Sequence, residues 1–460
     1  MTVSAIAHHR EAMSGLNQRK QLVVIGAVAL LVRAICFTVS MQHPAARQLQ
    51  ADSHDYLDLA ANLTAGHGLG RALGQHDATW VPELARTPGY PMIIAAFDWL
   101  GWSGQTAAII LQNLAYVGLA MIAAAIAGTW FGPVAGWFAG LWIALDTQAV
   151  ALSNMIWTEP LYGVLLFAAA MATARVIARP RWQAAVVSGV LIAAGAYIRP
   201  TSLFLPTVCA VGLLAFALLR RNRALVVSAL LVGVVGNALI GAWVVRNGRV
   251  CGEYTFTSIS RALLLAYHGG ATLSRAEGIP FRDARDRLHA DLGISRNALR
   301  RLPLSAAENA RVKSLAFKTI REHPKAFVAE YGLRSANIYC GPDKHILLAS
   351  GLPLVDFGIL PSDEDAMAGE GVALTSWTLL AVNLVFLGSV YVLLIRQLCL
   401  VYRKRWPPVF VWVCLAFSVY VLALSSGAPG DPRMRAPVMP MLVMVAAASL
   451  APARSERRTQ

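Results

Sequence analysis

Apolar stretches close to 20 residues long recur along the chain, at 21–40, 105–127, 133–150, 159–178, 183–198, 200–219, 224–245, 374–396, 408–425 and 436–451. In hydrocarbon every backbone N–H and C=O must be satisfied within the protein, so stretches of this length fold as spanning helices. Composition points the same way: of 460 residues 57% are hydrophobic and 14% charged, against roughly a quarter charged in a soluble domain. Soluble enzymes, secreted disulfide scaffolds and disordered chains are excluded. The expected fold is an all-α polytopic membrane protein of about ten transmembrane helices.

The net charge of +15 does not call for nucleic acid. Much of the basic charge lies in short clusters between apolar runs, where the positive-inside rule accounts for it. The run from Gln21 to Ser40, preceded by Arg10, Arg19 and Lys20, is too long for a signal peptide and lacks a small-residue cleavage site, so it reads as a retained first span. The stretch Pro91 to Gly101 would rise only about 16 Å as a helix, too short to cross, and reads as an interfacial or re-entrant helix. With that segment not crossing, the clusters at Arg175, Arg179 and Arg181, at Arg220, Arg221 and Arg223, at Arg396, Arg403, Lys404 and Arg405, and at Arg454, Arg457 and Arg458 all fall in the cytoplasm, with both termini.

The expected organisation is therefore a cytoplasmic N-terminus at 1–20, a membrane module at 21–245 with a first outer loop at 41–104, a mostly helical outer segment at 246–373 between spans seven and eight, membrane helices at 374–451 and a cytoplasmic tail at 452–460. The outer segment is rich in arginine, including Arg282, Arg285, Arg287, Arg300, Arg301, Arg311, Arg321 and Arg334. That charge suits anionic lipid or lipid phosphate, and an ordinary solvated helix face accounts for it equally well. Cys251 and Cys340 both fall in this segment, which leaves a disulfide between them open.

The first outer loop carries most of the chemistry. In DSHDYLDLAANL, Asp52, Asp55, Tyr56, Leu59 and Leu63 recur at helical spacing, so one face of a helix would hold two carboxylates, a tyrosine and two apolar anchors. Gly66, Gly68 and Gly70 end that helix, and Arg86-Thr87-Pro88-Gly89-Tyr90-Pro91 opens the short apolar one. Capping of a helix start explains Asp52 and Asp55 as well as catalysis does. His54, His67 and His76 match no strong metal-ligand spacing.

The string Asp52-Ser53-x-x-Tyr56-x-x-x-Ala60-x-x-Leu63-x-x-Gly66-x-Gly68, followed by Arg86-x-Pro88-x-Tyr90-Pro91, resembles the first outer loop of the C-type glycosyltransferases that use polyprenyl-phosphate sugars. That broad family contains protein O-mannosyltransferases and the aminoarabinose transferases that modify lipid A. Later landmarks follow in the same order: Thr158-Glu159-Pro160, Tyr197-Ile198-Arg199-Pro200-Thr201, Trp243-Val244-Val245-Arg246-Asn247, Ile320-Arg321-Glu322-His323-Pro324 and Arg433-x-Arg435-x-Pro437-x-x-Pro440, over about 40–440. Protein mannosyltransferases carry Asp-Glu where this chain has Asp52-Ser53, which argues against that branch.

The resemblance implies transfer of a sugar from a polyprenyl phosphate to a hydroxyl of a lipid, glycan or protein acceptor, with inversion, on the outer face of a bacterial inner membrane. It maps the base onto Asp52, with Asp55 assisting or orienting it. The leaving phosphate requires fixed cations, for which Arg86, Arg199 and Arg433 or Arg435 stand at membrane boundaries, although headgroup snorkelling explains any one of them equally well. Glu159 could bind sugar hydroxyls or a metal, or cap its helix, and Tyr56 and Tyr90 could stack on a sugar, as interfacial tyrosines do not need to. No divalent cofactor is required by the sequence. Arg33, inside the first span, either pairs with an acid or reaches the interface. Rival readings are a transporter or flippase and an O-antigen polymerase or ligase, against which stand the lack of matched inverted halves and the concentration of acids in one loop.

Overall fold

The computed structural model describes residues 3–42, 51–72, 80–343, 374–427 and 429–452. Within them the order is α1 (Val3–Gln42), α2 (Ala51–Thr64), β1 (Gly70–Ala72), β2 (Trp80–Pro82), α3 (Gly89–Trp99), α4 (Gly104–Phe131), α5 (Pro133–Leu145), α6 (Thr147–Leu152), α7 (Glu159–Ala178), α8 (Trp182–Ile198), α9 (Leu205–Leu219) and α10 (Arg223–Cys251). The segment expected on the outer side adds α11 (Ile259–Ala262), a π-helical stretch Leu263–Gly269, α12 (Gly270–Glu277), α13 (Phe281–Leu292), α14 (Arg296–Arg301), α15 (Ala306–Glu322) and α16 (Pro324–Cys340). After it come α17 (Leu374–Tyr402), α18 (Val409–Ser425), a 3-10 helix Pro432–Val438 and α19 (Met439–Ala448).

The protein is an all-α polytopic membrane protein. Among the described residues six helices are long and apolar enough to cross a membrane, within α1, α4, α7, Pro200–Leu219, α10 and α17, and α5, α8 and α18 are shorter apolar helices. Two of the expected ten spans depart from the reading above. The run 133–150 breaks at Asp146, whose backbone turns extended and whose carboxylate accepts from the Gln148 N–H at 3.1 Å, so that α6 starts afresh. The last run begins as a 3-10 helix because Pro437 and Pro440 cannot donate an intrahelical hydrogen bond, which leaves only Met439–Ala448 as α-helix.

Small residues allow the helices to pack closely. A Cβ on Gly136 of α5 would meet the Gly128 Cα of α4 at 3.0 Å, and Ile25 of α1 fills the space beside Gly140. Arg33 turns inward, donating to the Ser153 hydroxyl at 2.9 Å and lying 4.7 Å over the Tyr116 ring. This fastens α1 to the stretch that follows α6.

The first loop folds onto these helices. As the spacing predicts, α2 covers 51–64, and Gly66 and Gly68 follow it in left-handed conformations. A short antiparallel hairpin comes next, with Arg71 opposite Val81, which helical and strand periodicity did not reveal. The chain then turns tightly at 83–88 and enters α3, an 11-residue helix that packs on α2 and α4 and is too short to cross. The segment between α10 and α17 is helical where described and has its own core of Leu265, Ala284, Leu288, Leu292, Leu299, Val312 and Ala316. Its start is stitched to the turn: the Ser258 N–H donates to the Leu84 carbonyl at 2.9 Å and the Thr257 hydroxyl to that of Ala85 at 2.7 Å. Cys251 and Cys340 are free thiols.

A candidate active site built on guanidinium–carboxylate pairs

The tight turn is organised by Glu83. Its Oε1 accepts from the backbone N–H groups of Ala85 and Arg86 at 2.6 and 2.8 Å, while Oε2 accepts from Arg71 at 2.6 and 2.9 Å. One buried carboxylate thus fixes both the backbone that aims Arg86 and the side chain of Arg71. The Arg86 guanidinium reaches back to α2, where Nη2 pairs with Asp52 and Nε donates to Asp55 Oδ2 at 3.0 Å. Asp52 and Asp55 lie one turn apart on the same helix face, so a single guanidinium spans both.

The two aspartates have different surroundings. Asp55 holds Arg71 at 2.7 Å, Arg86 at 2.9 Å, Arg300 at 2.5 Å and Arg301 at 3.1 Å, and its side chain is only 6% exposed. Both oxygens are taken. Asp52 holds Arg86 and Arg433, the latter at 3.1 Å, and its side chain is 28% exposed. Burial would raise the Asp52 carboxyl, but Arg86, Arg433 and Arg300 outweigh it and hold the group well below the usual carboxylate range. Asp55 is lowered in the same way, burial being overcome by Arg86, Arg300 and Arg71.

A second pair adjoins the first. Glu159, at the start of α7, holds Arg199 from the end of α8 at 2.6 Å and faces Arg433 Nε at 3.6 Å. Arg433 also lies 4.4 Å over the Trp157 ring and 3.5 Å from Asp431, which caps its 3-10 helix through the Arg433 N–H. Arg433 therefore bridges Asp52 of the first loop to Glu159 of the helix bundle. The Thr158 hydroxyl accepts from Arg199 at 3.2 Å, and the Thr87 hydroxyl donates to the Ile198 carbonyl at 3.0 Å, so the turn and the end of α8 are held together.

Asp52, Asp55, Arg86, Glu159, Arg199 and Arg433 thus form one network, although they are drawn from widely separated parts of the sequence. Three other residues expected to bind substrate do not face its open side. Tyr90 is fully buried and donates its hydroxyl to Gln112 at 2.7 Å. Tyr56 packs edge-on against Tyr90 and has Arg86 over its face, 5.3 Å from the ring centre, so that face is not free for a sugar. Arg435 points away from Arg433 and donates to the carbonyls of Ile338 and Gly341 at 2.9 and 2.6 Å, because successive 3-10 positions two apart diverge around the axis. Arg71, Glu83, Trp157 and Asp431 join the network without any spacing signal in the sequence, whereas Arg300 and Arg301 belong to the arginine-rich outer segment.

Asp52, Asp55, Glu83 and Glu159 each hold a guanidinium. Among the described residues no group of three or more His, Cys, Asp or Glu side chains is placed to bind a metal. The arrangement instead offers a partly open carboxylate flanked by planar cations, at the ends of α7 and α8.

Compared with solved structures, the chain is similar to ArnT from Cupriavidus metallidurans bound to undecaprenyl phosphate, with 15% identity over 93% of this chain and 76% of that one and a TM-score of 0.37. It is also similar to the apo state of that protein, with 13% identity, the same coverages and a TM-score of 0.35. No family model matches the chain, and no curated protein does.

Proposed function

We propose that the protein is a membrane glycosyltransferase that moves a sugar from a polyprenyl phosphate to an acceptor hydroxyl, with inversion, on the outer face of a bacterial inner membrane. The observation that carries this reading is the position of Asp52: a partly open carboxylate held between Arg86 and Arg433, at the membrane end of α7 and α8. The ends of apolar helices meet the headgroup plane, where lipid phosphates are found, and arginine matches phosphate geometry with paired N–H donors.

In the reaction the bond between the anomeric carbon and the phosphate oxygen breaks, the acceptor oxygen bonds to that carbon, and the hydroxyl proton passes to Asp52. A single base on the side opposite the leaving group gives inversion. At rest Asp52 is a weak base because its two guanidiniums stabilise the ionised form. A donor phosphate competes for Arg86 and Arg433, and as they turn toward it the carboxylate regains basicity next to the bound acceptor. Arg199 and Glu159 keep Arg433 oriented. Asp55, with both oxygens taken, acts as a positioning residue for Arg86.

The test is sugar transfer by the purified protein in lipid, with a panel of polyprenyl-phosphate sugars as donors and a membrane-lipid extract as acceptor, for the wild type and Asp52→Asn. Product from the wild type alone supports the reading. Equal product from both moves the base away from Asp52, and no product from any donor favours a transporter.

A further inference from the structure

Helix α16 has two unlike sides. Glu330, Arg334, Ser335 and Ile338 are buried against the rest of the protein, with Arg334 held by Glu330 at 2.8 Å and donating to the Pro429 carbonyl at 3.0 Å. The opposite side is exposed from Val328 through Ala329, Gly332 and Ala336 to Cys340 and carries no charge after Lys325. Val328 is 68% exposed. On a helix standing in water that side would carry lysine and glutamate.

The last turn of α16 is bonded to side chains well inside the spanning helices. Tyr391, roughly 16 Å along α17 from its far end, donates to the Tyr339 carbonyl. The Asp343 N–H donates at 3.2 Å to Asn383, which lies about 14 Å inside the near end of the same helix. Arg435 clasps the carbonyls of Ile338 and Gly341. The C-terminal turns of α16 therefore lie within the thickness of the membrane, and their uncharged side continues the lipid-facing surface of the spans.

At the other end, cations surround exposed apolar groups. Lys313, Phe317 and Arg321 recur every fourth residue along one face of α15, Lys325 opens α16, all four are exposed, and Phe317 is 45% exposed. Among the described residues no carboxylate pairs with these three cations, and the neighbouring Glu322 faces Lys318 at 3.9 Å. Unpaired cations beside an apolar face match a layer of anionic headgroups over acyl chains.

We infer that the corner formed by α15 and α16 is a lipid-docking face, inserted in the leaflet on the side of the candidate site. Val328 and the uncharged side of α16 pack on acyl chains, and Lys313, Arg321 and Lys325 hold the phosphates of anionic phospholipids. The segment that carries Arg300 and Arg301 to Asp55 is thereby set at a fixed height over the headgroup plane. The inference does not depend on the reaction proposed above.

The test places a polarity-sensitive fluorophore at Val328→Cys, and separately at Phe317→Cys, in full-length protein whose Cys36, Cys251, Cys340 and Cys399 are serine, reconstituted in vesicles. Ala329→Cys replaces Val328→Cys if that variant does not elute as a single species. For the Val328 label, nitroxide on lipid acyl chains quenches strongly and aqueous iodide weakly. Strong iodide quenching, or quenching by neither because protein covers the face, overturns the inference. For the Phe317 label, nitroxide-labelled phosphatidylglycerol diluted in phosphatidylcholine quenches about two-fold or more above equally diluted labelled phosphatidylcholine. Lys313→Gln/Arg321→Gln/Lys325→Gln removes that preference. Equal quenching by the two lipids in the unsubstituted face overturns the headgroup assignment.

Discussion

Replacing Asp55 by asparagine tests whether it is the knot that ties the outer segment to the first loop. The substitution keeps the shape and removes the charge facing four guanidiniums, of which Arg71 and Arg86 are buried. Removing one partner of a buried ion pair costs about 3–5 kcal/mol because the remaining charge is left uncompensated. The Arg300 and Arg301 side chains are 23% and 29% exposed, so water recovers part of their loss and the expected cost falls near the lower end, about 3 kcal/mol. Thermal unfolding in detergent should show a lowered midpoint, and limited proteolysis should cut the outer segment sooner. Adding Arg300→Gln and Arg301→Gln should then cost little more, since those cations have already lost their partner. The Asp55 carboxyl is held below its ordinary range, so this contribution is complete above about pH 4 and fades as pH falls through the lowered folded value. A stability within about 0.5 kcal/mol of wild type, or independent losses from the aspartate and the arginines, would refute the coupling.

On the proposed reaction, Asp52→Asn lowers turnover by about 100- to 10,000-fold, as read by radiolabelled product formation, while its thermal midpoint falls less than that of Asp55→Asn because Arg86 keeps Asp55 and Arg433 keeps Glu159 and Asp431. Arg433→Lys keeps the charge but loses the planar fork; it should raise the donor KM about ten-fold, measured by donor titration at saturating acceptor. Glu83→Gln weakens Arg71 and the turn that aims Arg86, so a loss of about 1–3 kcal/mol in thermal stability is expected together with reduced turnover. Because the resting Asp52 carboxyl lies below its ordinary range, kcat/KM, which reports the free enzyme, should show no acidic loss down to about pH 5, and a fall in kcat/KM beginning near pH 7 would count against Asp52 as the base.

Much of the fold was legible because the apolar runs and the 3-4 spacing of Asp52, Asp55, Tyr56 and Leu59 are local signals. The breaks within spans were less so: Asp146, Thr147 and Gln148 are a short polar step in an otherwise apolar run, and only the capping geometry of Asp146 reveals that α6 begins again there. The candidate site was legible in its landmarks and not in its pairings. Arg300 meets Asp55 across 245 positions and Arg433 meets Asp52 across 381, distances over which no periodicity acts. Arg71 enters through a hairpin of three residues per strand, too short to give an alternating pattern. Tyr90 and Arg435 share motifs with residues of the network, yet the helix turn places each on the side away from the cleft.

The two aspartates of α2 end in different roles because of how many cations reach each. Asp55 is closed by four guanidiniums and can only hold them, while Asp52 keeps one edge open between two. Over the whole network Arg71, Arg86, Arg199, Arg300, Arg301 and Arg433 face Asp52, Asp55, Glu83, Glu159 and Asp431, which leaves one positive charge in excess. A phosphodiester-linked sugar carries a single negative charge, so its binding brings the network to neutrality. On the proposed reaction, proton transfer to Asp52 leaves the network with two positive charges just as the released phosphate monoester gains its second negative one, which it holds above a pKa near 6. The proton that leaves the acceptor thus keeps donor and product states equally balanced. The network accordingly stabilises charge as it moves from Asp52 to phosphate, without accumulating it in a site largely shielded from water.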